Sequence, residues 1–236
     1  MSVASDPLGA LRDEVLAANL ALPAHRLVTL TWGNVSGIDR ARGLVVIKPS
    51  GVSYDAMSSS DMVVVDLDGN VVGGERRPST DTPTHVALYR AFEDIGGIVH
   101  THSTWATAWA QAQREIPLLG TTHADLCAHP IPLTRALTDA EVREDYEGAT
   151  GVVLVDALAG RRALEVPCAL VRGHAPFCWG RNPAAAVDNA VTLEEVARMA
   201  LLTTVLEPGA EPLAEAVREK HHERKHGPRA YYGQPS

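Results

Sequence analysis

Cysteine is scarce in this chain: 236 residues hold three, Cys127, Cys168 and Cys178, an odd number in no metal-finger or redox spacing. That argues against a disulfide scaffold and fits reduced thiols used as small core residues. No stretch approaches the roughly 18 consecutive apolar residues that suggest a membrane span, so no membrane role is expected. The start, MSVASDPLGALRDEV, lacks the basic segment and apolar run of a secretory signal, and a cytoplasmic location is the expectation. Basic residues are outnumbered, 21 Lys and Arg against 29 Asp and Glu, and the resulting net charge of -8 disfavours nucleic acid as a partner. Internal repeats, low-complexity segments, linker-like boundaries, a P-loop and a dinucleotide fingerprint are missing too. What remains is a chain 45% hydrophobic and 21% charged, long enough for one large α/β domain with a well-buried core or for two small domains, of which the single domain is the expectation.

Periodicity and turn signals divide the chain into alternating helices and strands. Residues 6–20 read as an amphipathic helix with Asp6 as N-cap, Pro7 at the first helical position and Leu8, Leu11, Val15 and Ala18 on one face. GLVVIKPSG (43–51) and MVVVDLDGNVV (62–72) are β-rich, and Asp68-Gly69 marks a hairpin. Thr82-Pro83 opens a helix that Gly96-Gly97 ends, a strand through His100 follows, and another helix starts near Ser103. Thr138 and Glu141 form a capping box for a helix ending near Gly148, after which VVLVDAL reads as a strand. CALVRGHAPFCWG offers a further strand with His174 at the turn leaving it. Asn182-Pro183 starts a long helix to about Leu206, and a charged helix spans about 214–227. The hairpin implies antiparallel pairing, so a mixed sheet covered by helices fits better than a doubly wound parallel one.

Within that layout GGIVHTHSTWATAW (96–109) sets His100 and His102 two residues apart on an apolar strand. Such side chains share one face, which is a chelating geometry or a pair of hydrogen-bonded core imidazoles. Asp81, in PSTDTPTH, stands before a helix start as a capping carboxylate or a ligand. His174 sits between glycine and alanine, where a ring has room to approach an ion. Together Asp81, His100, His102 and His174 make a three-nitrogen, one-oxygen set suited to zinc and tolerable for manganese or cobalt. A second group suits a phosphate. TWGNVSG (31–37) and IKPSGV (47–52) break β-like segments with Gly and Ser, Lys48 adds a positive charge, and Ser79 and Thr80 lie at a helix start whose amides favour an anion. The alternative for these loops is two ordinary turns.

TLTWGNVSGIDR, VIKPSGV, DMVVVD, PSTDTPTH, GGIVHTHS, GTTHAD, HAPFCWG and RKHGPRAYYGQ occur in that order. On these blocks the chain closely resembles the L-ribulose-5-phosphate 4-epimerases of the class II aldolase and adducin family, over about residues 10–234. The resemblance implies a single α/β domain (1–236) with a central, mainly antiparallel sheet flanked by helices. It also implies a zinc ion, a sugar-phosphate substrate and a homotetramer with active sites between subunits, to which a tail (214–236) contributes. By the same resemblance the metal ligands are Asp81, His100, His102 and His174. The phosphate contacts are Asn34, Lys48, Ser50, Gly51, Ser79 and Thr80. Asp125 is the catalytic acid, Tyr232 the catalytic tyrosine from a neighbouring subunit, and His221 a further active-site histidine. Thr80 departs from the pattern in replacing a serine, and Arg172 stands where a further histidine is expected. The activity so implied is interconversion of L-ribulose 5-phosphate and D-xylulose 5-phosphate, which serves arabinose breakdown and ascorbate-linked pathways. Related sugar-phosphate aldolases of the L-fuculose-1-phosphate type usually carry glutamate at the position of Asp81, and the adducin-type interaction modules have lost the zinc histidines.

Overall fold

Residues 6–233 are described by the computed structural model. The first five residues and the last three of the expected 214–236 tail lie outside them. In chain order, α1 (Gly9–Ala24) is followed by β1 (Asn34–Asp39), β2 (Leu44–Ile47), β3 (Val63–Asp66) and β4 (Val71–Gly73). Next come α2 (Thr82–Ala91), β5 (Gly97–His100), α3 (Thr104–Gln111), α4 (Thr121–Leu126), α5 (Asp139–Glu144) and α6 (Tyr146–Ala157). The hairpin β6 (Cys168–Leu170) and β7 (Pro176–Gly180) leads to α7 (Pro183–Leu206) and α8 (Glu215–His226). The strands form one seven-stranded sheet in the order β4-β3-β2-β1-β5-β7-β6, and every ladder is antiparallel. Among the described residues no helix is long and apolar enough to cross a membrane.

Strand alternation explains why helices cover both faces of the sheet. On β1, Ser36 bonds the side chains of His85 and Tyr89 on α2, whereas a side chain at Gly37 would meet Leu11 and Val15 of α1 and Pro183 of α7. Asn19 of α1 is fully buried and satisfied by β1, its amide donating to the Val35 carbonyl (3.1 Å) and its oxygen accepting from the Val35 N–H (2.9 Å). Gly97 at the start of β5 admits the start of α7, since a Cβ there would lie 2.5 Å from the Asn182 and Pro183 backbone. Only glycine fits so close an approach.

Three local expectations differ from the structure. The segment VVLVDAL is helical, within α6 and just beyond it, because Asp145 accepts from the Gly148 N–H and starts a new helix one residue after α5 ends. Gly151 then lets α6 press on α2, where a Cβ would sit 2.5 Å from that of Ala87. A buried apolar run cannot by itself distinguish helix from strand, and here the cap decides. CALVRGHAPFCWG is two strands rather than one, folded back through a turn that carries His174. The first helix begins at Gly9 and extends to Ala24, Asp6 instead capping the preceding turn through the Leu8 N–H.

Candidate metal and phosphate site

The central strands place the site. Asn34 on β1 pairs with His100 on β5, and His100 with Phe177 on β7, so these residues lie abreast at one end of the sheet. The His100 ring stacks on Phe177 at 4.1 Å, and Nδ1 lies 3.0 Å from the Pro176 carbonyl. That contact requires an N–H at Nδ1 and leaves Nε2 as a lone-pair donor. His102 falls just beyond the end of β5, yet its ring centroid is 5.1 Å from that of His100. The chain is fixed immediately afterwards by Glu194 of α7, whose carboxylate accepts from the Trp105 and Ala106 N–H groups at the start of α3. The β6–β7 turn brings His174 to 5.0 Å from both other rings, its Nε2 facing His102 Nε2 at 3.3 Å.

Each of His100, His102 and His174 offers a nitrogen, and the three atoms lie within 4.8 Å of one another. Burial pushes the His100 and His102 imidazoles down from the usual range; at His174, burial and the two neighbouring rings lower it to about 4. All three are therefore neutral near pH 7, the form that binds a metal. Asp81 lies outside that trio, its Oδ2 accepting from the Asn34 amide at 2.6 Å. Burial raises its carboxyl, but His100, His85 and the Asn34 bond outweigh this and hold it below the usual carboxylate range. Neutral imidazoles beside a carboxylate fit a divalent cation by charge and donor type.

All six residues expected around the phosphate line the same cleft of about 590 Å³ as the four ligand candidates. The two loops that carry them are joined, Ser79 N–H to Lys48 O at 3.0 Å and Ser50 N–H to Arg77 O at 2.9 Å. Gly51 turns at φ +68°, a left-handed conformation that favours glycine. Lys48 is only 2% exposed, its ammonium donating to the Pro49 carbonyl at 3.3 Å and lying 5.1 Å from the centre of the Tyr54 ring. Burial lowers its pKa, and among the described residues no carboxylate pairs with it. A buried cation facing a cleft is suited to an anion that arrives from outside.

Asp125, His221 and Tyr232 do not line this cleft. They meet instead where α8 packs on α4. Asp125 accepts from Arg224 (3.0 and 2.5 Å) and contacts His221 Nδ1 at 3.2 Å, and the Tyr232 ring lies 5.3 Å from the Arg224 guanidinium. Burial raises the Asp125 carboxyl, yet Arg224 and His221 together bring it below the usual range. The structure thus brings the ten metal and phosphate candidates together and gathers the other three into a second cluster.

Sequence reasoning missed Tyr146, whose hydroxyl lies 3.4 Å from His174 Nδ1, and Glu147 and Trp32, which also line the cleft. The missing signal was Asp145: recognised as a cap, it puts Tyr146 at the first position of α6 and not in the middle of a longer helix. Arg172 points away, donating to Gln113 at 2.5 Å.

Residues 13–201 match the class II aldolase and adducin N-terminal domain family. The chain is 56% identical over 224 residues to the L-ribulose-5-phosphate 4-epimerase UlaF of Salmonella paratyphi A (strain ATCC 9150 / SARB42), covering 95% of this chain and 98% of that protein. The Salmonella typhi protein of the same name matches to the same extent. Among solved structures, an L-fuculose 1-phosphate aldolase superposes with a TM-score of 0.80 at 26% identity, over 95% of this chain and 99% of the other.

Proposed function

The chain belongs to the class II aldolase and adducin family, and on that premise we propose that it interconverts L-ribulose 5-phosphate and D-xylulose 5-phosphate at carbon 4. The observation that carries this reading is the identity of more than half the residues with 4-epimerases over almost the whole of both chains. The cleft supports it, since the imidazole nitrogens share one cavity with Lys48 and the Ser- and Gly-bearing loops expected to hold a phosphate.

The chemistry explains the arrangement. Carbon 4 of a 2-keto pentose phosphate is not adjacent to the carbonyl, so its hydrogen is not acidic and simple proton removal cannot invert it. Removing the proton of the 4-hydroxyl instead lets the bond between carbons 3 and 4 break in a retro-aldol step, giving an enediolate and glycolaldehyde phosphate. The aldehyde turns and the same bond re-forms on its other face. We assign zinc, with manganese or cobalt as substitutes, to His100, His102, His174 and Asp81, and when bound it supplies the Lewis acidity that stabilises the enediolate.

Asn34, Lys48, Ser50, Gly51, Ser79 and Thr80 hold the phosphate while the carbonyl turns, so the fragment is not lost. Proton transfer is needed on both sides of the aldehyde, and we give it to the Asp125 carboxylate and the Tyr232 hydroxyl, with His221 beside them. Because these three lie outside the histidine cleft of their own chain, we assign them to the cleft of a neighbouring subunit in a homotetramer, Tyr232 and His221 from the 214–236 tail and Asp125 from α4, on which that tail packs. A short Asp81 held by Asn34 suits a permanent ligand, whereas the longer glutamate of the aldolases can leave and act as base; this favours epimerisation over fragment release. The reaction belongs in the cytoplasm, where arabinose breakdown or an ascorbate-linked route delivers the pentulose phosphate.

Incubating the zinc-loaded protein with L-ribulose 5-phosphate tests this reading. D-xylulose 5-phosphate should form without free glycolaldehyde phosphate; accumulation of the aldehyde identifies an aldolase and refutes the proposal. Mixing His100→Asn with Asp125→Asn protomers tests the shared site. Each variant alone is inactive, and reassembled mixtures regain activity only if one protomer completes another's cleft.

A further inference from the structure

We propose a second anion site, for a small phosphate-bearing molecule, between α8 and the segments that follow α4, α6 and β7. A cavity of about 430 Å³ is lined there by His129, Arg162, Arg181, His222, Lys225 and His226, with Glu165 as the single acid. These residues come from four separate segments: the loop after α4, the connection from α6 to β6, the end of β7, and α8. On α8, positions 222, 225 and 226 have the spacing of one helical face. So many cationic and imidazole groups in one concavity are notable in a chain whose net charge is -8.

The guanidinium groups there are only loosely engaged. Arg162 has its nearest carboxylates at 3.8 Å (Asp94) and 3.9 Å (Glu165), beyond hydrogen-bond distance, and among the described residues Arg181 has no ion pair. Planar guanidinium donors suit the oxygens of a phosphate, and a small concave pocket on an acidic chain suits a compact anion better than a nucleic acid strand. Imidazoles complete the wall: His222 and His226 stack at 4.7 Å, and His226 Nε2 lies 2.8 Å from the Asp125 carbonyl oxygen. An anion bound in this cavity therefore ties α8 to the loop after α4, the α6–β6 connection and the end of β7.

Calorimetric titration of the metal-loaded protein with inorganic phosphate, and separately with glycerol 3-phosphate, provides the test without turnover. We expect two classes of site per chain. Lys48→Met weakens the one in the histidine cleft, and the double variant Arg162→Ala/Arg181→Ala weakens the other by about 100-fold or more, for two lost charged hydrogen bonds. Arg162→Lys/Arg181→Lys should recover part of that binding, which separates charge from folding. Tighter binding of the glycerol ester names an organic phosphate as the ligand, and tighter binding of the inorganic ion names free phosphate. A single class of site in the wild type, or a second class that the Ala double variant leaves untouched, overturns the proposal. Neither result bears on the epimerase reading.

Discussion

Replacing Lys48 with methionine should move stability and catalysis in opposite directions. The lysine is 2% exposed, its nearest acceptor is the Pro49 carbonyl at 3.3 Å, and burial already depresses its pKa. In the ligand-free protein the ammonium is thus a desolvated charge, and a methionine of similar length removes that cost while filling the space. The melting temperature should hold or rise by a few degrees, since 1 kcal/mol is worth about 2–4 °C in a chain of this size. The substrate phosphate, in contrast, loses a charged hydrogen bond worth about 1.5–3 kcal/mol, which lowers kcat/KM by roughly 10- to 160-fold. Thermal unfolding of the metal-loaded protein and steady-state kinetics with L-ribulose 5-phosphate measure the two effects. A melting temperature that falls together with kcat/KM would make Lys48 a structural residue, and unchanged kcat/KM would remove it from the phosphate cradle.

Other consequences follow from neighbouring parts of the structure. Tyr146→Phe removes the hydroxyl that His174 Nδ1 faces at 3.4 Å, and should weaken zinc binding by about 10- to 100-fold in competition with a chelator; unchanged affinity would show that the contact does not orient the ring. His85 and His123 are buried with pKa values lowered by desolvation to about 3 and about 4. Neutral in the fold but protonated when unfolded, each contributes stability that is complete above about pH 6.5 and is lost as pH falls toward those values, roughly 3 kcal/mol for His123. Urea midpoints of His123→Gln should accordingly fall less between pH 7 and 4.5 than those of the wild type, and parallel curves would contradict this. Gly97→Ala puts a methyl group 2.5 Å from the Asn182 and Pro183 backbone, so a melting-temperature loss of several degrees is expected, and a wild-type value would mean that α7 can shift freely.

Much of this was legible in the sequence because it rests on local chemistry. The Thr82-Pro83 start of α2, the Asp68-Gly69 hairpin, the Thr138 capping box and the Asn182 cap of α7 are written in a few adjacent residues, and each appears where expected. His100 and His102 could be paired by strand alternation even though the strand stops at His100. What the sequence could not convey was geometry set by distant packing. α6 is a helix because Asp145 caps it and Gly151 seats it on α2, and no periodicity in VVLVDAL reveals either. The approach of His174 to the other two rings depends on how β6 and β7 fold back, and the Arg224 clamp on Asp125 depends on α8 returning to α4 across almost 100 residues.

Metal content after purification, chelator stripping and reloading measures directly whether three imidazoles and a carboxylate grip a divalent cation. The wild type should carry a single zinc equivalent per chain, and a folded His100→Asn variant almost none. Equal zinc in the two proteins would contradict it.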